Sequence, residues 1–227
     1  MNFKVEYEDN HLIIVNKRAG LLSQGDQTQD LSLLDEVKTY IKEKYKKPGK
    51  VYLGLVHRLD RPTSGLVVLA KTSKALSRMN TLFVNREVKK NYIALVEGQV
   101  NENEAILEDF LVRNPKQNKS YAYSKELKNS KLAKLKFTKI QTLDRYTLLR
   151  IELFTGRHHQ IRCQLSHRGY SIKGDLKYGA KRPNRDKSIG LHAHYIDFIH
   201  PVSKLHIQIQ AAPFSDTENI WSACEVN

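Results

Sequence analysis

Asp60 stands between Arg58 and Arg61 in His57-Arg58-Leu59-Asp60-Arg61-Pro62-Thr63-Ser64, a polar stretch set between two apolar runs. A cation beside a buried carboxylate keeps it ionised, and an ionised carboxylate can act as a nucleophile or take up a proton. On an exposed turn the same residues would make only a weak surface ion pair. That simpler account covers the charges but gives no reason for an apolar strand to deliver His, Arg, Asp and Arg together. A second constellation, Gly156-Arg157-His158-His159-Gln160-Ile161-Arg162, carries two arginines and an amide where a strand gives way to a helix. Arg162 lies four residues after His158 and shares its side of a helix, while Arg157 begins the turn. Such a basic terminus is either solvated or suited to phosphate. Tyr92, taken alone, is an aromatic on a strand whose simplest role is packing.

These groups need rigid carriers, and the hydrophobic pattern supplies them. The spans 51–56 and 65–70 read as strands rich in β-branched residues and leucine, so 57–64 is a charged loop between buried strands. A short apolar run, 11–16, precedes the Gly-containing turn Lys17-Arg18-Ala19-Gly20. Ser32 precedes Leu34, Val37, Ile41 and Tyr45, the spacing of one helix face, with Lys38, Lys42, Glu43 and Lys46 outside and a stop at Pro48-Gly49. Thr72 or Ser73 would cap a second helix carrying Leu76, Met79 and Phe83, before a strand over 91–96. The basic span 113–130 reads as an excursion, a hairpin being one form. Alternation places strands over 131–142, with Ala133, Leu135 and Phe137 inward, and over 205–211, while 147–154 is a further strand. A helix over 157–168 buries Ile161 and Leu165 and stops at Gly169. The expected fold is α+β, one domain on a mostly antiparallel mixed β-sheet with flanking helices.

Charge narrows the function. Among 227 residues, 38 Lys+Arg against 24 Asp+Glu leave a net charge of +14, which points to a polyanionic partner. No stretch approaches a membrane span and the start lacks the apolar core of a secretory signal, so a soluble intracellular protein is expected. Cys163 and Cys224 have neither disulfide-framework nor zinc spacing. His192 and His194 share one side of a presumed strand, but no third metal ligand of suitable spacing accompanies them. Gly20 and Gly25 do not make a phosphate-binding loop. Lys116, Lys119, Lys125, Lys128, Lys131 and Lys134, with Tyr121 and Tyr123, form a run that is either solvated or an RNA contact through phosphate and stacking.

Taken in order, the motifs resemble the RluA family of pseudouridine synthases. The resemblance runs from Tyr7-Glu8-Asp9 through Asn16-Lys17-Arg18-Ala19-Gly20-Leu21 to the central signature His57 to Gly65. It continues in Lys89-Lys90-Asn91-Tyr92-Ile93-Ala94-Leu95-Val96-Glu97-Gly98, in Gly156 to Arg162, in Gly174-Asp175-Leu176-Lys177-Tyr178-Gly179, and in Leu191-His192-Ala193 with His200-Pro201. Arg18 stands where the family usually has Pro, and His158 where it has Thr or Ser. No S4 RNA-binding domain is recognisable before Tyr7, so recognition is expected to rest on the basic surface of the catalytic domain, assigned to 1–215, with 216–227 as a C-terminal tail.

The resemblance implies isomerisation of uridine in ribosomal or transfer RNA, with neither metal nor cofactor expected. Asp60 would attack C1′ or C6, or remove the C2′ proton. Arg162 resembles the family's partner for that carboxylate, and Tyr92 the active-site tyrosine that stacks on the base. Arg58 resembles the residue that fills the space left when the uridine leaves its stack. His57, Arg61, Thr63, Arg157, His159 and Gln160 complete the expected substrate-binding set, with His57 also supporting its loop. The enzyme is expected to be a cytoplasmic monomer acting on an RNA stem-loop. Two alternatives use the same features: a catalytically idle RNA-binding or ribosome-assembly protein, for which Asp60, Tyr92 and Arg162 would be superfluous, and a glycosidase, which normally needs a second carboxylate.

Overall fold

The long apolar runs at 12–15 and 66–70 are too continuous for half-exposed strands and demand cover on both faces. In the structure, a computed structural model that describes residues 1–25, 30–214 and 221–224, they become central strands. The chain begins with β1 (Phe3–Glu8), β2 (Leu12–Lys17), α1 (Leu33–Lys44), β3 (Gly54–Leu55), β4 (Ser64–Ala70) and α2 (Ser73–Val84). It continues through β5 (Lys89–Glu97), β6 (Glu104–Asn114), β7 (Lys119–Tyr123), β8 (Lys131–Thr142), β9 (Tyr146–Leu153) and α3 (Gln160–His167), and closes with β10 (Leu191–Ile199) and β11 (His206–Gln210). These elements build an α+β fold in which the strand pairs with described register are antiparallel. They form two compact units, Met1–Lys89 with Ala193–Pro213, and Lys90–His192 with Phe214–Asn227.

In the first unit β2 lies between β1 and β4, while β3 pairs with β4 and β11 with β10. Its core joins Leu12, Ile14, Leu66 and Val68 to Ala75 and Met79 of α2 and to Ile196 and Phe198 of β10. Helix α1 starts where expected: Ser32 and Asp35 form a reciprocal capping box. Its buried face keeps Val37 and Ile41 of the expected set but uses Leu33 in place of Leu34, and Tyr45 is exposed. The helix ends in a Schellman arrangement, with the Lys47 amide donating to the Lys42 carbonyl at 3.0 Å and the Lys46 amide to Glu43 at 3.2 Å. Of the strand expected over 51–56, Gly54 and Leu55 form β3, and the Val56 amide adds one bond to the Val68 carbonyl at 3.3 Å.

The second unit has the strand order β5-β9-β8-β6-β7. The basic excursion resolves into the β6–β7 hairpin, and β8 returns along the other edge of β6. As expected, Ala133, Leu135 and Phe137 of β8 are buried. Two lysines on the opposite side are neutralised across the ladder, Lys134 by Glu108 at 2.9 Å and Lys136 by Glu104 at 2.8 Å. Helix α3 starts later than expected, at Gln160, because His159 adopts a left-handed backbone with φ of 53°. Trp221 packs with Ile93, Leu95 and Leu148, and the remainder of the expected tail, 216–220 and 225–227, lies outside the described residues. Cys163 and Cys224 are not joined in a disulfide. Among the described residues, no helix is long and apolar enough to cross a membrane.

Candidate active site

The expected site residues fall into two groups, one in each unit. In the first unit, His57, Arg58, Asp60, Arg61 and Thr63 share the loop between β3 and β4. Two clamps hold that loop. Ser23 grips Leu59 from both sides, its hydroxyl donating to the Leu59 carbonyl at 2.7 Å and accepting from the Leu59 amide at 3.1 Å. Gly20 and Arg61 are tied reciprocally: the Gly20 amide donates to the Arg61 carbonyl at 2.7 Å, and Arg61 Nε donates to the Gly20 carbonyl at 3.0 Å. Asp60, half-buried, thus sits between two residues whose backbones are pinned, and the Thr63 amide closes a turn onto its carbonyl at 3.0 Å. The loop leaves through Gly65, at φ of 117°, where any Cβ would meet the Ala193 backbone at 2.4 Å.

Arg58 and Arg61 are exposed, and Arg61 also pairs with Asp30 at 2.9 Å. His57 accepts the Val68 amide proton at Nε2 over 3.2 Å and stacks on Phe83 with ring centres 5.1 Å apart, which supports the loop. The Thr63 hydroxyl is buried and has no hydrogen-bond partner among the described residues.

Sequence reasoning missed Lys17. It is fully buried at the end of β2, and its ammonium group donates to the carbonyls of Leu21 at 2.9 Å, Arg18 at 3.0 Å and Arg61 at 3.5 Å. The clue was a lysine ending a buried run just before a Gly turn. Burial pushes its pKa down to about 7, against the opposing pull of the Asp60 charge. An unfolded lysine keeps its proton to about pH 10.4. Between pH 7 and that value the unfolded chain therefore binds more protons than the folded one, and stability rises with pH; below pH 7 the contribution is flat. Urea unfolding of wild type and Lys17→Met from pH 6 to 9 is expected to show a stability difference that shifts in favour of wild type above pH 7. The shift should not exceed about 1.4 kcal/mol per pH unit. A difference independent of pH would mean that Lys17 stays charged.

In the second unit, Arg157, His159, Gln160 and Arg162 gather where β9 meets α3, and Tyr92 lies on β5 opposite Ile151, largely buried. Gln160 is buried and spends its amide on shaping the turn. It accepts from Thr155 Oγ1 at 2.8 Å and the Arg157 amide at 3.0 Å, and donates to the Lys134 carbonyl at 3.1 Å. Arg157, exposed, donates from Nε to the Leu132 carbonyl at 2.9 Å. Arg162 is 5% exposed and forms a two-pronged pair with Asp175, Nε to Oδ2 at 2.6 Å and Nη2 to Oδ1 at 2.8 Å. Its guanidinium carbon also lies 5.1 Å from the ring centre of Tyr178. The Tyr178 hydroxyl takes the Ser120 amide proton at 2.8 Å and lies 3.0 Å from His159 Nδ1, and burial raises its pKa. The turn carrying Asp175 needs Gly174, at φ of 83°, because a Cβ would strike the Asn184 amide at 2.6 Å. Asp175 and Tyr178 were visible as a motif, but their grip on Arg162 was not. His192 packs edge-on against Trp221, and His194 Nδ1 donates to the Ala211 carbonyl at 2.8 Å.

The family model described as RNA pseudouridylate synthase matches residues 11–167, which include the clamped loop, Tyr92 and Arg162. The chain belongs to that family. It is an RNA pseudouridine synthase of the RluA type, and so an isomerase. It is 28% identical to the uncharacterized RNA pseudouridine synthase YlyB of Bacillus subtilis over 93% of this chain and 69% of that protein. Ribosomal large subunit pseudouridine synthase C of Buchnera aphidicola subsp. Baizongia pistaciae is 32% identical over 92% of this chain and 67% of its own length. Synthase D of Nitrosomonas europaea is 33% identical over 88% and 59%. The human RNA pseudouridylate synthase domain containing 4 shares the fold, with a TM-score of 0.76 at 22% identity over 93% of this chain and 88% of that one.

Proposed function

We propose that this synthase modifies uridines of ribosomal RNA and that Asp60 is its nucleophile or base. The observation that carries the assignment is the clamped loop: Leu59 and Arg61 are fixed by Ser23 and Gly20, so the one carboxylate of the matched signature is presented by a rigid backbone. The ribosomal substrate is supported by the relatives about 30% identical, the ribosomal large subunit pseudouridine synthases C and D.

The chemistry needs no added reactant, since its atoms rearrange within the substrate. The bond from N1 to C1′ breaks, the uracil turns, C5 joins C1′, the proton leaves C5, and N1 regains one. Asp60 either attacks C1′ or C6, or removes the C2′ proton. The roles of Tyr92, as a stacking platform, and of Arg162, as the cation supporting a carboxylate, rest on their places in the matched motifs. Arg58, which is exposed on the loop, would hold the vacated stack open in this reading. A cytoplasmic setting follows from this reading.

Mapping pseudouridines in total RNA from cells with and without the gene tests the substrate. One or more ribosomal positions are expected to lose pseudouridine completely while transfer RNA is unchanged. Loss confined to transfer RNA would overturn the ribosomal assignment.

A further inference from the structure

The segment Lys38–Lys50 holds six lysines and a single acid, Glu43. Lys44 is neutralised by Glu8 at 2.7 Å. Lys38, Lys42, Lys46, Lys47 and Lys50 pair with no carboxylate among the described residues. Three of them, Lys38, Lys42 and Lys50, line one cleft of about 330 Å³ floored by the outer side of α1 and the Pro48–Gly49 turn. The helix C-terminus favours Lys42 and Lys44, but that field fades within one turn and leaves Lys38 and Lys50 unexplained. Lys38 and Lys42 are also four residues apart on one helix, where like charges repel. By contrast, Lys134 and Lys136 in the second unit each have a glutamate partner. An unneutralised, self-repelling lysine cluster around a concave surface fits an external polyanion.

We propose that this cleft binds the phosphate backbone of the RNA substrate outside the uridine that is modified. The inference rests on the reading of the protein as an RNA-modifying enzyme and adds a surface made of residues other than those of the catalytic loop. It assigns Lys38, Lys42 and Lys50 as phosphate contacts, read without regard to sequence.

The test compares wild type with Lys38→Ala/Lys42→Ala/Lys50→Ala and with the corresponding triple Arg variant, using ribosomal RNA fragments from 0.1 to 1 M salt. Three lost contacts, at about −0.7 each, are expected to reduce the log-log salt slope by about 2. Affinity of the Ala variant should therefore fall about 100-fold at 0.1 M relative to 1 M, while turnover at saturating RNA stays at the wild-type level. The Arg variant should keep the wild-type slope. An unchanged slope in the Ala variant, with circular dichroism showing native fold, would overturn the proposal. So would loss of affinity in the Arg variant equal to that in the Ala variant, because charge would then not be the cause. A parallel arm uses phosphatidylserine vesicles: triple-Ala loss of vesicle binding with RNA binding intact would reassign the cleft to membranes and overturn it as well. Failure of wild type to form pseudouridine would instead strike the enzymatic reading, a result separate from any difference between variants.

Discussion

Asp60→Asn is expected to keep the fold and the RNA affinity while removing pseudouridine formation. Asn is nearly isosteric, and the clamps on Leu59 and Arg61 are made by backbone groups, the Ser23 hydroxyl and the Arg61 side chain, none of which the substitution replaces. The amide is neither a carboxylate nucleophile nor a useful base, so the loss falls on the chemical step. RNA affinity could only gain from removing a negative charge near phosphate. A further consequence is internal: Asp60 helps keep Lys17 charged, and its neutralisation should lower the Lys17 pKa further. The reaction leaves mass unchanged, so release of the C5 hydrogen from labelled uridine is the readout. Turnover of even about a tenth of wild type, in protein free of wild-type contamination, would show that the nucleophile lies elsewhere.

Asp175→Asn is expected to have the second largest effect, on stability and activity together. Arg162 is buried, and Asp175, 1% exposed, meets it through both carboxylate oxygens. An amide keeps the shape but removes one negative charge and one acceptor from this two-pronged pair. Breaking one side of such a pair costs about 3–5 kcal/mol. Unfolding in urea should register that loss. Asp175 is a positioning residue for Arg162, so Arg162→Lys, which keeps the charge but loses the planar fork, should reduce activity to a similar extent. The double variant Asp175→Asn/Arg162→Lys should then fall little below either single one. Additive losses of activity would show that Asp175 does not act through Arg162.

Local signals in the chain were sufficient for several elements. The Ser32 cap and the 3-4 spacing after it predict α1, Thr72 predicts the start of α2, and the alternation at 131–142 predicts β8, because each depends on residues within a turn or a few pleats of one another. The charged loop around Asp60 and the order of motifs were equally legible, since turn chemistry and residue identity are written locally. The structure added β1 and β6, whose polar outer faces weaken the pattern until partners across the sheet are known. It also decided which lysines are neutralised. Lys134 finds Glu108, and Lys17 reaches the Arg61 carbonyl, 44 positions along the chain. The same holds for Gln160, an expected substrate contact whose amide is taken up by Thr155, Arg157 and Lys134. Residue type and spacing identify groups able to carry charge or protons. Whether such a group faces solvent, a carbonyl cage or a countercharge depends on pairings between distant segments, and those are set by packing of the whole chain.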